Sequence, residues 1–119
     1  MIDFYWYPKC STCRKAKQWL DENEVEYHII DLIQETPKAN LIEKWLNESG
    51  LPAISFFNTQ GNKYRELNLK DKRPTMTTQQ SSQILASDGM LMKRPVLTDG
   101  IKLTTGFNED VFTETWLNK

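Results

Sequence analysis

Residues 2–20 read IDFYWYPKCSTCRKAKQWL. The β-branched and aromatic run from Ile2 to Trp6 stops at Tyr7-Pro8, the pattern of a strand that ends in a turn. Two cysteines, Cys10 and Cys13, follow at once in a CxxC spacing. From Ser11 to Asn23 the apolar positions Ala16, Trp19 and Leu20 recur at i, i+3 and i+4, which predicts a helix, and Ser11 or Thr12 can cap its start. Cys10 then falls at a helix N-terminus and Cys13 inside the first turn. Residues 25–32, VEYHIIDL, read as a second strand. Strand, helix and strand over this length imply a parallel βαβ unit with a right-handed crossover.

Outward from that unit, Leu41, Ile42, Trp45 and Leu46 form a helical stripe ended by Gly50, a favourable residue just past a helix. Residues 52–72 and 77–87 read as shorter helices separated by Gly61 and Pro74. After Gly89 come RPVLTDGIKLTTG, where VLT and IKLT are short strands joined through Asp99-Gly100, a dipeptide that favours a type I′ hairpin turn. Asn108 caps a last helix with Glu109 and Asp110 in its first turn, and Phe112 and Trp116 at i, i+4 face inward. The aromatics Trp45, Phe56 and Phe57 read as core rather than as an interface.

With 119 residues the chain has the length of one domain with a single modest core. Its 15 Lys+Arg against 16 Asp+Glu leave a net charge of −1, so no basic excess points to direct nucleic-acid or anionic-membrane binding. No apolar run approaches membrane-span length, and the start, MIDFYWYPK, shows no basic segment followed by an apolar one, so a cytoplasmic protein is expected. Two cysteines are too few for a secreted disulfide framework; in a reducing compartment the spacing suggests redox or metal chemistry, or two small buried residues. Zinc is the weaker reading, since a structural site takes about four ligands and the chain adds one histidine, His28, in mid-strand. There is no GxGxxG and no phosphate loop, so no cofactor is expected and electrons would come from thiols.

The order β-α-β, helices, β-β-α, with CxxC between the first strand and first helix, is that of an α/β thioredoxin-like fold with a mixed sheet. We expect residues 1–119 to form a single thioredoxin-like domain with a helical insertion at about 38–87. The chain also resembles the arsenate reductase (ArsC)/Spx/MgsR family, through YPKCSTCRKAKQWL at 7–20, FFNTQGNKYRELNLKDK at 56–72, ASDGMLMKRPVL at 86–97 and GFNED at 106–110. The likeness runs nearly end to end.

A free thiol titrates at roughly 8.5, and a helix N-terminus or nearby cations stabilise the thiolate that does the chemistry. Cys10 has that setting. Cys13, one turn further in, would be less exposed and could attack a mixed disulfide formed at Cys10. The resemblance implies that the Arg94-Pro95 bond is cis and faces the CxxC, that Pro95 shapes a substrate groove flanked by Ser11 and Thr12, and that Arg94 holds a thiolate or oxyanion near Cys10. Arg65 matches a second anion-contacting arginine of the arsenate reductases, although on a predicted helix an Arg-Glu surface pair reads equally well.

Glutaredoxin-coupled arsenate reductases use three arginines around one reactive cysteine, the third after the final strand. Here Thr104-Thr105-Gly106-Phe107-Asn108 holds none, and a second cysteine is present at Cys13. The CxxC-bearing, Spx-like branch is therefore the better match. Three functions remain open, in this order: a thiol–disulfide oxidoreductase acting with glutathione, thioredoxin or a protein disulfide; a glutaredoxin-coupled arsenate reductase; and a redox-sensing regulator that binds the RNA polymerase α subunit.

Overall fold

The computed structural model describes residues 1–117. Its contacts separate into two compact units: residues 1–32 with the chain from Arg94 onward, and residues 33–93.

The first unit holds a four-stranded mixed sheet. Strand β1 (Ile2–Trp6) runs parallel to β2 (Tyr27–Asp31), joined by helix α1 (Ser11–Glu22). β3 (Val96–Thr98) and β4 (Leu103–Thr105) add as antiparallel neighbours, giving the order β2-β1-β3-β4. Along β1 the alternate residues Ile2 and Phe4 face the core, the period of a strand, while α1 contributes Ala16, Trp19 and Leu20. Leu97 of β3 joins the same cluster, as do Phe112 and Trp116. Phe112 lies on α6 (Glu109–Phe112), which continues as a π-helical turn over Thr113–Leu117. Trp19 and Phe107 both meet the Phe112 ring edge-on, at 5.3 and 4.9 Å between centroids. Burying Phe112, 1% exposed, contributes about 1.5–3 kcal/mol. Trp116 satisfies its indole N–H by donating to the Thr104 hydroxyl at 3.2 Å, which fastens the last helical turn to β4.

Asn108 caps α6 as expected, accepting from the Val111 amide. The hairpin differs from the expected one. β4 starts two residues later than IKLT suggests, with Thr98 opposite Leu103, so residues 99–102 form a four-residue loop instead of a type I′ turn. The cause is the Asp99 carboxylate, which accepts from the Ile101 and Lys102 amides at 2.9 and 2.7 Å and folds the chain back on itself. Gly100, with φ +93°, supplies the left-handed residue this loop needs.

The second unit is helical. α2 (Ala39–Glu48) packs on α5 (Thr78–Ser87), with the short helices α3 (Asn62–Glu66) and α4 (Leu69–Lys72) between them in sequence. Gly50 follows α2 with φ +75°, as its position predicts. Thr77 and Gln80 close a reciprocal capping box at the start of α5. Trp45, Phe56 and Phe57 are buried here, Phe57 against the Tyr64 ring. The insertion expected over about 38–87 lies within this unit of residues 33–93.

Candidate functional site

β1 delivers the chain to a turn in which the Cys10 amide donates to the Tyr7 carbonyl at 2.9 Å. Helix α1 begins on the next residue. Neither Ser11 nor Thr12 caps it: Cys10 itself is the N-cap, extended at φ −90° and ψ 118°, and no side chain makes a capping hydrogen bond. Ser11 and Thr12 are the first two helical residues, the former exposed and the latter half-buried. The physical reason lies in Pro8 and Lys9, which turn the chain one residue earlier than the hydroxyls could use. With no oxygen cap, the positive end of a 12-residue helix is left facing the Cys10 sulfur.

Arg94 and Pro95 are more than 80 residues away in sequence, and sheet register closes that distance. Tyr5 of β1 stands opposite Val96 of β3 in an antiparallel pair, so the end from which β1 runs into Tyr7 and Cys10 is the end at which β3 is entered from Pro95. The Arg94-Pro95 peptide bond is cis, as the resemblance implies. Pro95 is buried, and its carbonyl accepts from the Gly106 amide at 2.8 Å, tying it to the end of β4. The Arg94 guanidinium lies over the Tyr7 ring, 5.6 Å from its centroid.

The two thiols differ. Both are free; Cys10 is half-buried, whereas Cys13 is 0% exposed. Burial pushes the Cys10 thiol up, but the Cys13 amide, the Cys13 thiol and the donating, positively charged Arg94 guanidinium outweigh it and hold Cys10 below the usual thiol value. Burial dominates at Cys13: with the neighbouring Cys10 adding to it against the opposing Tyr7 amide and Arg94 charge, that thiol is pushed up to about 12. One thiol is thus shifted toward its anion and the other away from it, an asymmetry on which sequential thiol chemistry depends.

Arg65, the other expected anion contact, lies on α3 in the helical unit, exposed, where its guanidinium donates to Asn62 one turn back. The partner is an asparagine one turn back rather than the glutamate of an Arg-Glu pair, because Glu66 lies beside Lys63 at 4.0 Å. The segment where a third arginine would stand is occupied by structural residues: Thr104 accepts from Trp116, and Asn108 caps α6. Lys102 sits in the hairpin loop at the opposite end of the sheet from Cys10, donating to the Thr115 carbonyl at 3.0 Å. His28 is an exposed residue of β2 opposite Asp3. Among the described residues no group of three or more His, Cys, Asp or Glu is arranged to hold a metal ion, and no helix is long and apolar enough to cross a membrane.

Sequence reasoning passed over Tyr7. Its carbonyl fixes Cys10, its amide faces Cys13 and its ring carries Arg94. The available signal was an aromatic placed three residues before a CxxC cysteine in a chain with an Arg-Pro ahead of its third strand.

Fold and cysteine pair together define a small thiol protein of thioredoxin-like architecture. The chain belongs to the ArsC family, whose family model matches residues 5–115. It is 51% identical over 115 residues to the uncharacterized protein YusI of Bacillus subtilis, covering 97% of this chain and 98% of that one. It is 31% identical over 107 residues to the regulatory protein MgsR of the same organism, covering 90% and 83%. The crystal structure of a possible arsenate reductase from Streptococcus mutans superposes with a TM-score of 0.87 at 47% identity, covering 93% of this chain and 97% of that one.

Proposed function

We propose that the protein is a thiol–disulfide oxidoreductase that works through Cys10 and Cys13. The observation that carries this reading is the asymmetry of the two thiols: Cys10 accessible and favoured as thiolate, Cys13 buried and held protonated. The Cys10 thiolate attacks one sulfur of a substrate disulfide, forming a mixed disulfide and releasing the other half as a thiolate that takes up a proton. Cys13 then loses its proton and attacks the Cys10 sulfur, which closes a Cys10–Cys13 disulfide and releases the second half of the substrate as a thiol. Two electrons have passed from the cysteine pair to the substrate. Two equivalents of a monothiol such as glutathione, or one dithiol of the thioredoxin type, return them.

In this scheme Arg94 stabilises the attacking thiolate, and Pro95, with Ser11 and Thr12 at the start of α1, borders the groove that receives the disulfide. The setting we assign is the cytoplasm, which a chain with two cysteines suits. Reduction of a protein disulfide or of a mixed glutathione disulfide, with Cys10→Ser inactive, tests the reading; no turnover of either substrate overturns it.

A second reading is supported by the 31% identity with the regulatory protein MgsR. Here the same pair would be a redox switch carrying information to a protein partner, the RNA polymerase α subunit in the resemblance. Direct nucleic-acid contact is disfavoured by the net charge of −1. Retention of the polymerase α subunit by the oxidised but not the reduced protein supports this alternative. Arsenate reduction ranks below both, because no arginine follows the final strand and Arg65 is paired locally with Asn62.

A further inference from the structure

Tyr7 joins the parts of this site, and the proposed chemistry leaves it unused. Arg94 is a long, flexible side chain, and its effect on Cys10 depends on where the guanidinium rests. It rests on the face of Tyr7, 5.6 Å from the ring centroid, within the range at which a cation is drawn to an aromatic face. The Tyr7 carbonyl accepts from the Cys10 amide at 2.9 Å and so fixes the backbone that carries the sulfur. Tyr7 follows β1 directly, where the pairing with β2 and β3 fixes the backbone.

We infer that Tyr7 is a positioning residue, whose ring holds the Arg94 guanidinium at the Cys10 sulfur while its carbonyl fixes the backbone that carries the sulfur. This rests on the thiol–disulfide reading of the site. Other charges do not substitute. The groups acting on Cys10 are Cys13 from α1 and Arg94 from the chain entering β3. Of the neighbouring cations, Arg14 of α1 directs its guanidinium to the Pro8 carbonyl at 3.2 Å, and Lys9 of the turn is exposed. Without the ring, Arg94 samples many rotamers and its charge is spread into solvent, so the Cys10 thiolate loses part of its support.

The test is the pH dependence of Cys10 alkylation, mapped by mass spectrometry on the folded full chain. Tyr7→Leu should raise the pH of half-maximal reactivity by roughly half a unit, about a threefold loss of thiolate at any pH below it. Tyr7→Phe and Tyr7→Trp, which keep an aromatic face, should stay at the wild-type value. In an Arg94→Ala background, Tyr7→Leu should produce no further shift, because the ring acts through the guanidinium. An unshifted profile for Tyr7→Leu, an equal shift in Tyr7→Phe, or an undiminished shift in the Arg94→Ala background overturns the inference. If Tyr7→Leu does not fold, phenylalanines of increasing fluorination at position 7 take its place. These weaken the ring face with little change of shape, and the midpoint should climb with each fluorine; a flat series overturns the inference. Failure of the oxidoreductase reading looks different: the wild-type protein would then transfer no electrons to a disulfide, whatever the residue at position 7.

Discussion

Replacing Arg94 by alanine removes the guanidinium that acts on Cys10 while leaving the helix N-terminus and the Cys13 amide in place. A hydrogen bond to a charged group is worth about 1.5–3 kcal/mol. Both Cys10 and Arg94 are half-buried, so solvent screening places this one at the lower end, about 1.5 kcal/mol, or roughly one pKa unit. The Cys10 pKa should rise by that amount. Two consequences oppose each other. Below both pKa values the thiolate fraction falls about tenfold, but a thiolate of higher pKa is intrinsically more nucleophilic, by roughly threefold per unit. Alkylation of Arg94→Ala should therefore be about threefold slower at low pH and about threefold faster at high pH, the two profiles crossing between the two pKa values. The assay is the rate of iodoacetamide addition at Cys10 followed across pH in the reduced protein, with circular dichroism to verify the fold. Profiles that superpose would mean that Arg94 does not support the thiolate; a uniform slowing without a crossing would mean that it acts on access instead.

Cys13→Ser should accumulate a stable mixed disulfide at Cys10 with a glutathione disulfide, whereas Cys10→Ser should trap none at Cys13, as peptide mapping would reveal; equal trapping would contradict the assigned roles. Asp99→Ala should lower stability at neutral pH by roughly 0.5–1 kcal/mol, since two amide partners are lost but the carboxylate is exposed. Although burial opposes it, the Lys102 and Ile101 amides hold the Asp99 pKa below its usual value. Its contribution is thus present above the unfolded pKa of about 3.9 and is lost as pH falls through the lower folded value, so the thermal midpoints of Asp99→Ala and wild type should converge in acid. Arsenate reduction in a glutaredoxin-coupled assay should run on the order of 10²–10³ below that of a three-arginine relative, the usual effect of losing one oxyanion donor; comparable rates would restore arsenate as a substrate.

Most of the architecture was legible because local signals and global order agreed. The run Ile2–Trp6, the stripe Ala16-Trp19-Leu20 and the cap at Asn108 each formed the element that their pattern implies. The hairpin departs from the Asp99-Gly100 backbone turn that the dipeptide predicts, because the decisive interaction is the Asp99 side chain reaching two amides beyond it. The N-cap falls on Cys10, one residue before Ser11 and two before Thr12, because propensity favours hydroxyls and does not register how the turn at Pro8 sets the approach to the helix. At the site, CxxC spacing at a helix start marks both thiols and the lesser exposure of Cys13, but not the full extent of their inequality. That inequality comes from burial of Cys13 and from Arg94, brought alongside by a register that no local pattern encodes. Tyr7 was invisible for the same reason, since its partner lies on another strand's approach.

The proposed exchange requires Cys10 and Cys13 to form one reversible two-electron couple. Residues three apart at the start of a helix share a face, and both are free thiols in the structure described here. The most direct test is intact-protein mass spectrometry after mild oxidation and alkylation. The expected result is a loss of two hydrogens, both cysteines blocked to alkylation, and full recovery of two alkylated thiols after treatment with a dithiol reductant. Two freely alkylated cysteines after oxidation would contradict it.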